Sequence, residues 1–233
     1  FSVTLTTDKS DDNRGTELYN QDWRIVRPNK WHHVLFTYDA RIGGNNFRAY
    51  TDGVLVDEAS LTGKLDWGFT PIMLGLGNYA RASVNYDDFS IWNCALTPEE
   101  VAQLPFNTPR PTNRVLHLDF NNTLADASGH GHGAVPLFGE VYTPHEATTP
   151  PHAVFNAIIE GKRLSAIDKT TNGAAVKWHL GDGYTSTQRH PQYNYYKVGD
   201  YAVKMIAEND SAAWGCEKVV SVAGLSAISP NNV

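Results

Sequence analysis

Short runs of alternating apolar and polar residues, separated by turn-forming residues, dominate this chain. Phe1–Thr6 and Phe47–Thr51 alternate with a period of two, which is the pattern of a half-buried strand. Asp52–Gly53 separates the second run from the apolar run Val54–Val56, as a hairpin turn would. Short strands at this spacing are typical of β-sandwiches, so the pattern predicts an all-β fold.

Further strands and one helix are predicted along the same half and just beyond it. The additional strand patterns are Lys30–Tyr38, Pro71–Leu76, Tyr86–Trp92 and Val115–Phe120. Thr97 at the N-cap, Pro98 at the first helical position and Glu100 at the third form a capping box. Pro105 ends this helix, which we therefore place near residues 97–104.

Composition limits the class of protein and the kind of partner. The 233 residues are 41% hydrophobic and 19% charged, as expected for one or two globular domains. A net charge of −6 argues against nucleic acid, and no apolar run is long enough to insert into a membrane. Cys94 and Cys216 are the only cysteines, which excludes a disulfide framework. Phe1 opens directly on a strand pattern, so we expect a processed or trimmed piece of a larger protein.

Several motifs of the first half stand in a fixed order. They are Lys30–Val34, Tyr38–Asp39, Tyr50–Val56 with its Asp-Gly pair, and Tyr86–Val101. In this order they resemble the laminin-G-like, concanavalin-A-like jelly rolls of bacterial surface proteins over residues 1–104. Trp92 and Cys94 depart from the Tyr and Arg that are usual in that family. The resemblance implies a jelly-roll sandwich over residues 1–107.

The segment Leu116–Gly129 resembles the opening that such domains usually carry before their Trp-His-His-Val strand. Two interpretations of residues 108–150 are open. They form a linker and a strand that completes the first sandwich, or they begin a second, shorter jelly roll. Because an uncovered sheet edge promotes association, we favour the completing strand.

A second set of motifs follows after residue 150. It comprises Val176–Gly183 with its Trp and Gly-Asp-Gly, then Ser186–Thr187, Pro191–Tyr195, Gly199–Val203 and Asn209. These residues resemble the polycystic-kidney-disease (PKD) repeat over residues 151–223, with His179 and Tyr193 departing from the usual Asp and His. The resemblance implies a smaller immunoglobulin-like sandwich, followed by a tail or linker at 224–233. We expect Trp178 between its sheets, and Tyr195 and Tyr201 facing its core.

No catalytic centre is predicted within this chain. Asp87 and Asp88 are adjacent in a predicted strand, so their side chains are expected on opposite faces. His130 and His132 have no third metal ligand at a telling spacing, and His32–His33 lies on a strand where one ring faces the core. The sequence also contains none of the common nucleophile, metalloprotease or phosphate-loop motifs.

A structural calcium ion is implied by the jelly-roll resemblance, because many such domains hold one with oxygens from the opening segment and the Asp-Asp strand. By that analogy the candidate ligands are Asp88, Asp119, Asn121 and Asp126. Oxygen ligands on loops suit calcium. The alternative is that these residues only form turns, as Asp and Asn commonly do.

Ligand binding is predicted at aromatic residues in turn-rich segments, where a ring stacks on a sugar and polar neighbours bind its hydroxyls. The jelly-roll candidates are Trp23, Trp67 and Tyr79, with Asn78 and Arg81 near them in sequence. Tyr184 and Trp214 are placed on loops of the second module and have the same potential. The alternative is that each ring folds back onto the rim of its sandwich.

The predicted function is therefore a set of non-catalytic carbohydrate- or ligand-binding and spacer modules of an exported multidomain bacterial protein. Its partner would be a glycan or a cell-surface protein, and its location secreted or at the cell surface, including outer-membrane-anchored or periplasmic. One alternative is the accessory region of a secreted hydrolase, a glycoside hydrolase or phosphodiesterase, whose catalytic domain lies outside this chain. Another is a purely structural adhesion unit. Both are analogies from fold.

Overall fold

The computed structural model describes residues 2–5, 7–9, 16–19, 29–65, 72, 74, 85–136 and 149–223. Within these ranges the chain consists of short strands joined by turns, with one α-helix of six residues. The all-β prediction is confirmed. The predicted strand Pro71–Leu76 lies outside the described residues apart from Ile72 and Leu74, and the predicted tail 224–233 lies outside them altogether.

The strands before residue 120 form three small sheets. Strand β1 (Ser2–Leu5) pairs antiparallel with β2 (Thr16–Tyr19). A three-stranded sheet has the order β3 (Val34–Tyr38), β4 (Phe47–Thr51) and β5 (Val54–Ala59). Strand β6 (Phe89–Trp92) pairs antiparallel with β7 (Arg114–Leu118), and α1 (Pro98–Gln103) and a 3₁₀ turn (Pro111–Asn113) lie between them.

Two predicted strands begin later than the sequence pattern indicates. The Lys30–Tyr38 pattern becomes a strand only at Val34, and the Tyr86–Trp92 pattern only at Phe89. Asp88 has a positive φ of 50°, which interrupts an extended strand. The prediction that Asp87 and Asp88 occupy a regular strand is therefore wrong.

The turn between β4 and β5 has the backbone that its sequence predicts. Asp52 and Gly53 have φ angles of 51° and 78°. A two-residue hairpin turn with positive φ at both positions favours Asp followed by Gly. The hairpin prediction at these residues is confirmed.

Helix α1 begins with the predicted capping box. The Thr97 hydroxyl oxygen accepts from the Glu100 amide at 3.3 Å, and the Glu100 carboxylate accepts from the Thr97 amide at 2.8 Å. These two bonds satisfy donors that the first turn leaves free. The helix ends at Gln103, so it is slightly shorter than the predicted 97–104.

Strand β7 lies within the segment whose role the sequence left open. It pairs with β6 from Phe89 opposite Leu118 to Trp92 opposite Arg114, with an irregularity between Ile91 and Trp92. This pairing is what the completing-strand interpretation requires. We therefore propose that β7 adds an edge to the first module rather than beginning a second one.

The C-terminal part of the chain is a sandwich of two antiparallel sheets. One sheet has the order β11 (Thr185–Ser186), β10 (Ala175–His179), β13 (Gly199–Glu208) and β14 (Ala213–Val222). The other has the order β12 (Gln192–Asn194), β9 (Arg163–Asp168) and β8 (Phe155–Glu160).

The core of this sandwich forms where side chains from the two sheets meet. Trp178 on β10 is fully buried and contacts the Phe155 ring on β8 edge to face, with centroids 5.0 Å apart. Its indole nitrogen donates to the Gln188 carbonyl at 2.8 Å, which satisfies a buried polar group. The prediction that Trp178 fills the space between the sheets is confirmed.

The described residues divide into two compact units. The first covers Phe1–Tyr19, Phe36–Arg48 and Glu58–Ala147, and the second covers Asn20–Leu35, Ala49–Asp57 and Thr148–Val233. The second unit therefore contains the C-terminal sandwich together with residues 29–35 and 49–57. In this unit the Gly215 amide donates to the Asp52 carbonyl at 2.7 Å, and Trp31 forms a parallel bridge with Ala212.

Apolar packing joins the same segments of the second unit. Val54, Ile206 and Ala213 form a buried cluster. The Trp214 indole fills the space beside Gly53 so closely that a Cβ added at Gly53 would lie 2.8 Å from it. The Asp52–Gly53 turn is thus an integral part of this unit.

Asp52 holds the preceding Trp-His-His segment of this unit in place. Its buried carboxylate accepts from the His33 amide at 3.0 Å and lies 2.8 Å from His32 Nδ1. Burial raises the pKa of Asp52, whereas the His32 contact acts in the opposite direction. His32 is therefore a satisfied interior histidine, as predicted for this pair.

Candidate ligand-binding site

The aromatic candidates of the sequence analysis have different outcomes. The jelly-roll candidates Trp23, Trp67, Tyr79, Asn78 and Arg81 all lie outside the described residues, so the binding role remains a prediction for them. Trp214 lies on strand β14 rather than on a loop and is only 2% exposed, so its placement on a loop was wrong. Tyr184, in contrast, is 53% exposed on the loop before β11.

Tyr184 is the most exposed of four tyrosines whose rings contact one another in a row. It stacks on Tyr193 with centroids 4.7 Å apart and an interplanar angle of 21°. Tyr193 meets Tyr195 edge to face at 5.1 Å, and Tyr195 stacks on Tyr201 at 4.1 Å. We call Tyr184 and Tyr193 the tyrosine platform, because one ring supports the other and the outer ring faces solvent.

Hydrogen bonds to backbone carbonyls hold the other two rings of this row. Tyr195 is buried, and its hydroxyl donates to the Leu180 carbonyl at 2.7 Å. Burial raises the pKa of Tyr195 well above its usual value. Tyr201 is only partly buried, and its hydroxyl donates to the Lys197 carbonyl at 3.0 Å. The expectation that both rings face the interior holds fully for Tyr195 and in part for Tyr201.

The Gly-Asp-Gly turn positions the outer ring. Gly181 has a φ of 89°, and a Cβ there would lie 2.9 Å from the Ala202 amide nitrogen, so this position requires glycine. The Leu180 amide donates to the Tyr184 carbonyl at 2.9 Å, which closes the loop. The turn thereby places the Tyr184 ring against the Tyr193 ring.

Asp182 connects both rings of the platform. Its Oδ1 accepts from the Tyr184 amide at 3.1 Å, and its Oδ2 accepts from the Tyr193 hydroxyl at 2.7 Å. The bond to Asp182 raises the pKa of Tyr193 to about 12. The sequence indicates Tyr184 as a candidate but not its contact with Tyr193, which differs from the usual His and has no marked role in the motif.

Such an arrangement is suited to binding sugars. An exposed aromatic face stacks on the C–H face of a pyranose, while a neighbouring carboxylate accepts from its hydroxyls. The support of Tyr193 limits the freedom of Tyr184 before binding, which lowers the entropy cost of complex formation.

The four calcium candidates have side chains on loops or at the start of a strand: Asp88, Asp119, Asn121 and Asp126. Partial burial and the negative charge of Asp87 raise the pKa of Asp88, and Asp119 adds to this effect. The Asp119 carboxylate accepts from the Asn121 amide at 3.2 Å, as in a simple turn. In the described ranges no group of three or more His, Cys, Asp or Glu side chains is arranged to hold a metal ion.

Asp126 has a clear role in shaping its loop. Oδ1 accepts from the amides of His117 and Ser128, at 2.9 and 2.8 Å, and Oδ2 accepts from the His132 amide at 3.0 Å and the Ser128 hydroxyl at 2.9 Å. Although its partial desolvation acts in the opposite direction, the bonds from the His117 and His132 amides hold the pKa of Asp126 below its usual range. These bonds explain how Asp126 shapes its loop. Calcium binding at Asp126 and at the other three residues stays a prediction.

The described residues contain one row of Ser, His and Asp that invites comparison with a hydrolytic triad. Ser90 Oγ lies 3.2 Å from His117 Nδ1, and His117 Nε2 lies 3.6 Å from Asp88 Oδ1. However, the Arg114 guanidinium donates to the same Nδ1 at 2.6 Å. Because that nitrogen already accepts a hydrogen bond from a guanidinium, it is a poor general base for Ser90.

The other histidine pair noted in the sequence is exposed. The rings of His130 and His132 are nearly parallel, with centroids 6.4 Å apart, and Nδ1 of His130 lies 3.1 Å from the Ser128 hydroxyl. Cys94 and Cys216 are both free thiols, and burial raises the pKa of Cys216 to about 12. The two histidines belong to an exposed loop, and the Cys216 thiol is largely buried.

Comparisons with known families agree with the two sets of motifs. A family model of the concanavalin A-like lectin/glucanases superfamily matches residues 3–102, and a PKD domain model matches residues 150–223. Residues 3–102 are thus similar to the concanavalin A-like superfamily, and residues 150–223 are similar to PKD domains. Both resemblances predicted from the motifs are thereby confirmed, and the tyrosine platform lies within the residues that the PKD domain model matches. No catalytic family is identified in this chain, and no curated protein matches its sequence.

Solved structures similar to the chain include two bacterial PKD domains. The PKD1 domain of the Vibrio cholerae metalloprotease PrtV is 24% identical, with 32% of this chain and 99% of that chain covered and a TM-score of 0.31. The PKD1 domain of Vibrio anguillarum Epp is 22% identical, with 34% and 99% covered and a TM-score of 0.32. A structure described for carbohydrate-binding modules of the β-sandwich superfamily is 22% identical, with 35% and 37% covered and a TM-score of 0.32.

Proposed function

We propose that this chain is a non-catalytic, carbohydrate-binding accessory region of an exported bacterial protein. The observation that carries the proposal is the tyrosine platform, in which the exposed Tyr184 ring rests on Tyr193 and both are tied to Asp182. The match of residues 3–102 to a superfamily that includes lectins supports the same function. In the described part of the chain no helix is long and apolar enough to cross a membrane.

The proposed binding step uses the outer face of Tyr184. A sugar ring stacks on this face, and its hydroxyls donate to the Asp182 carboxylate, which has further lone pairs beside its two existing bonds. The Tyr184 hydroxyl has no hydrogen-bond partner among the described residues and offers one more polar contact. One stacked ring gives weak binding, so repeated sugar units along a polymer would raise the overall affinity.

The experiment is affinity electrophoresis of the full chain in gels that contain a panel of soluble polysaccharides. We expect at least one polysaccharide to retard the chain, and the Tyr184→Ala variant to lose most of that retardation. Tyr86→Ala is the matched control, because Tyr86 is an exposed tyrosine of the first unit. No retardation by any polysaccharide would refute carbohydrate binding, and equal retardation of Tyr184→Ala would refute this site.

A further inference from the structure

Asp182 places a negative charge at the edge of the tyrosine platform. The carboxylate is held by two bonds at once, from the Tyr184 amide and the Tyr193 hydroxyl, so its position relative to both rings is fixed. Asp182 itself is exposed. A ligand that stacks on Tyr184 therefore binds to a residue whose own backbone amide is bonded to a negatively charged carboxylate.

This charge is not neutralised by a neighbouring cation in the described part of the chain. The ion pairs found there involve other carboxylates, such as Arg189 with Asp168 and Lys204 with Glu217. The two partners of Asp182 are neutral donors, and the whole chain has a net charge of −6. An anionic sugar would thus meet uncompensated repulsion at this site.

The surroundings of the platform are open rather than enclosed. A Cβ added at Gly183, the residue just before Tyr184, would meet no atom within 4 Å. Tyr184 itself is 53% exposed, so we take its outer face to be open to the middle of a long chain and not only to a chain end. A flat ribbon of pyranoses with equatorial substituents exposes C–H faces that match such a surface.

We infer that the Tyr184 site selects neutral, β-1,4-linked polysaccharides and discriminates against those that carry carboxylate or sulfate groups. This inference rests on the proposed carbohydrate-binding function and adds the class of ligand to it. Asp182 acts as the specificity-determining residue, and Tyr184 supplies the stacking surface.

The test compares two substituted forms of the same backbone, hydroxyethyl cellulose and carboxymethyl cellulose, by affinity electrophoresis of the full chain. Both polymers carry bulky substituents, but only the second is charged. We expect the dissociation constant for carboxymethyl cellulose to be at least about threefold higher in dilute buffer, with a smaller ratio at about 0.5 M salt because salt screens the repulsion.

Asp182→Asn should lower the ratio of the two dissociation constants towards one, since the amide keeps the shape of the side chain but removes its charge. Asp210→Asn is the control: it removes the same charge from the turn after β13, about six strand residues or roughly 20 Å beyond Ala202, which lies beside Gly181. The control should leave the ratio unchanged.

Each outcome has a separate meaning. Equal binding of both polymers, or an unchanged ratio in Asp182→Asn, would overturn the role of Asp182 while carbohydrate binding stands. If neither cellulose derivative binds but another polysaccharide retards the chain through Tyr184, the inferred ligand class is wrong and the proposed function survives. If nothing binds, the proposed function itself fails.

Discussion

At the scale of single residues, close packing determines which substitutions the second unit tolerates. Gly53 and Gly183 both have positive φ, at 78° and 94°. A Cβ at Gly53 would lie 2.8 Å from the Trp214 ring, whereas one at Gly183 would meet nothing. Because the two glycines have similar φ angles but different surroundings, they form a matched pair for substitution.

We predict that Gly53→Ala lowers the free energy of unfolding by roughly 2–4 kcal/mol, because it adds a clash to the backbone strain. Gly183→Ala should cost about 1 kcal/mol, which is the strain alone. Urea unfolding followed by tryptophan fluorescence measures both values. Similar losses in the two variants would show that the Gly53–Trp214 contact contributes little.

His33 provides a second prediction, about pH. Its Nδ1 is buried with no hydrogen-bond partner, its ring lies 5.4 Å from the Trp214 ring, and burial lowers its pKa to about 4. Because the unfolded chain takes up this proton near pH 6.5 and the folded chain does not, stability is lost as the pH falls from about 6.5 towards about 4. The loss from His33 alone is up to roughly 3 kcal/mol.

The His33→Phe variant isolates this effect. Burial raises the pKa of Asp52, which gives a slope of opposite sign, but that slope is shared by wild type and variant. The difference between their unfolding free energies, measured by urea titration from pH 4 to 7, should therefore change in favour of the variant at low pH. A pH-independent difference would contradict the buried, neutral His33.

At the scale of elements, local signals were sufficient where neighbours in sequence form the structure. The capping box of α1 and the Asp52–Gly53 turn were both predicted, because each depends on residues a few positions apart. The strand starts at Val34 and Phe89 were not predicted. Pairing with a neighbouring strand, rather than the alternation of apolar and polar residues, decides where a strand begins.

Contacts between distant residues were beyond local sequence signals. The bond between Asp182 and Tyr193 joins a turn to a strand, and the Trp214–Gly53 contact joins residues far apart in the chain. No periodicity or motif in the sequence indicates either contact. Asn46 is similar: its buried amide donates to the carbonyls of Asp39, Ile42 and Leu61, which only the fold brings together.

Helix α1 gives a prediction at this scale. Thr97→Ala removes the hydroxyl that accepts from the Glu100 amide and should cost about 1 kcal/mol. Thr108→Ala, in the turn after the helix, is the control and should cost less than about 0.5 kcal/mol. Chemical unfolding of both variants gives the comparison, and an equal cost would show that the cap is unimportant for stability.

At the scale of the whole molecule, the compact units do not coincide with the two family matches. Residues 29–35 and 49–57 fall within the concanavalin A-like match, yet they belong to the same unit as the residues that the PKD domain model matches. Sequence motifs mark families, whereas units are defined by contacts, so this difference was not visible in the sequence. The two family resemblances were predicted correctly, but this division into units was not.

The account depends most on sugar binding at the tyrosine platform. The direct measurement is amide chemical-shift mapping of the full chain by NMR, during titration with oligosaccharides cut from the polysaccharide that retards it most. We predict the largest shifts at the amides of Asp182, Tyr184 and Tyr193, which meet at the platform. Shifts confined to other residues, or no shifts at saturating sugar, would contradict the account.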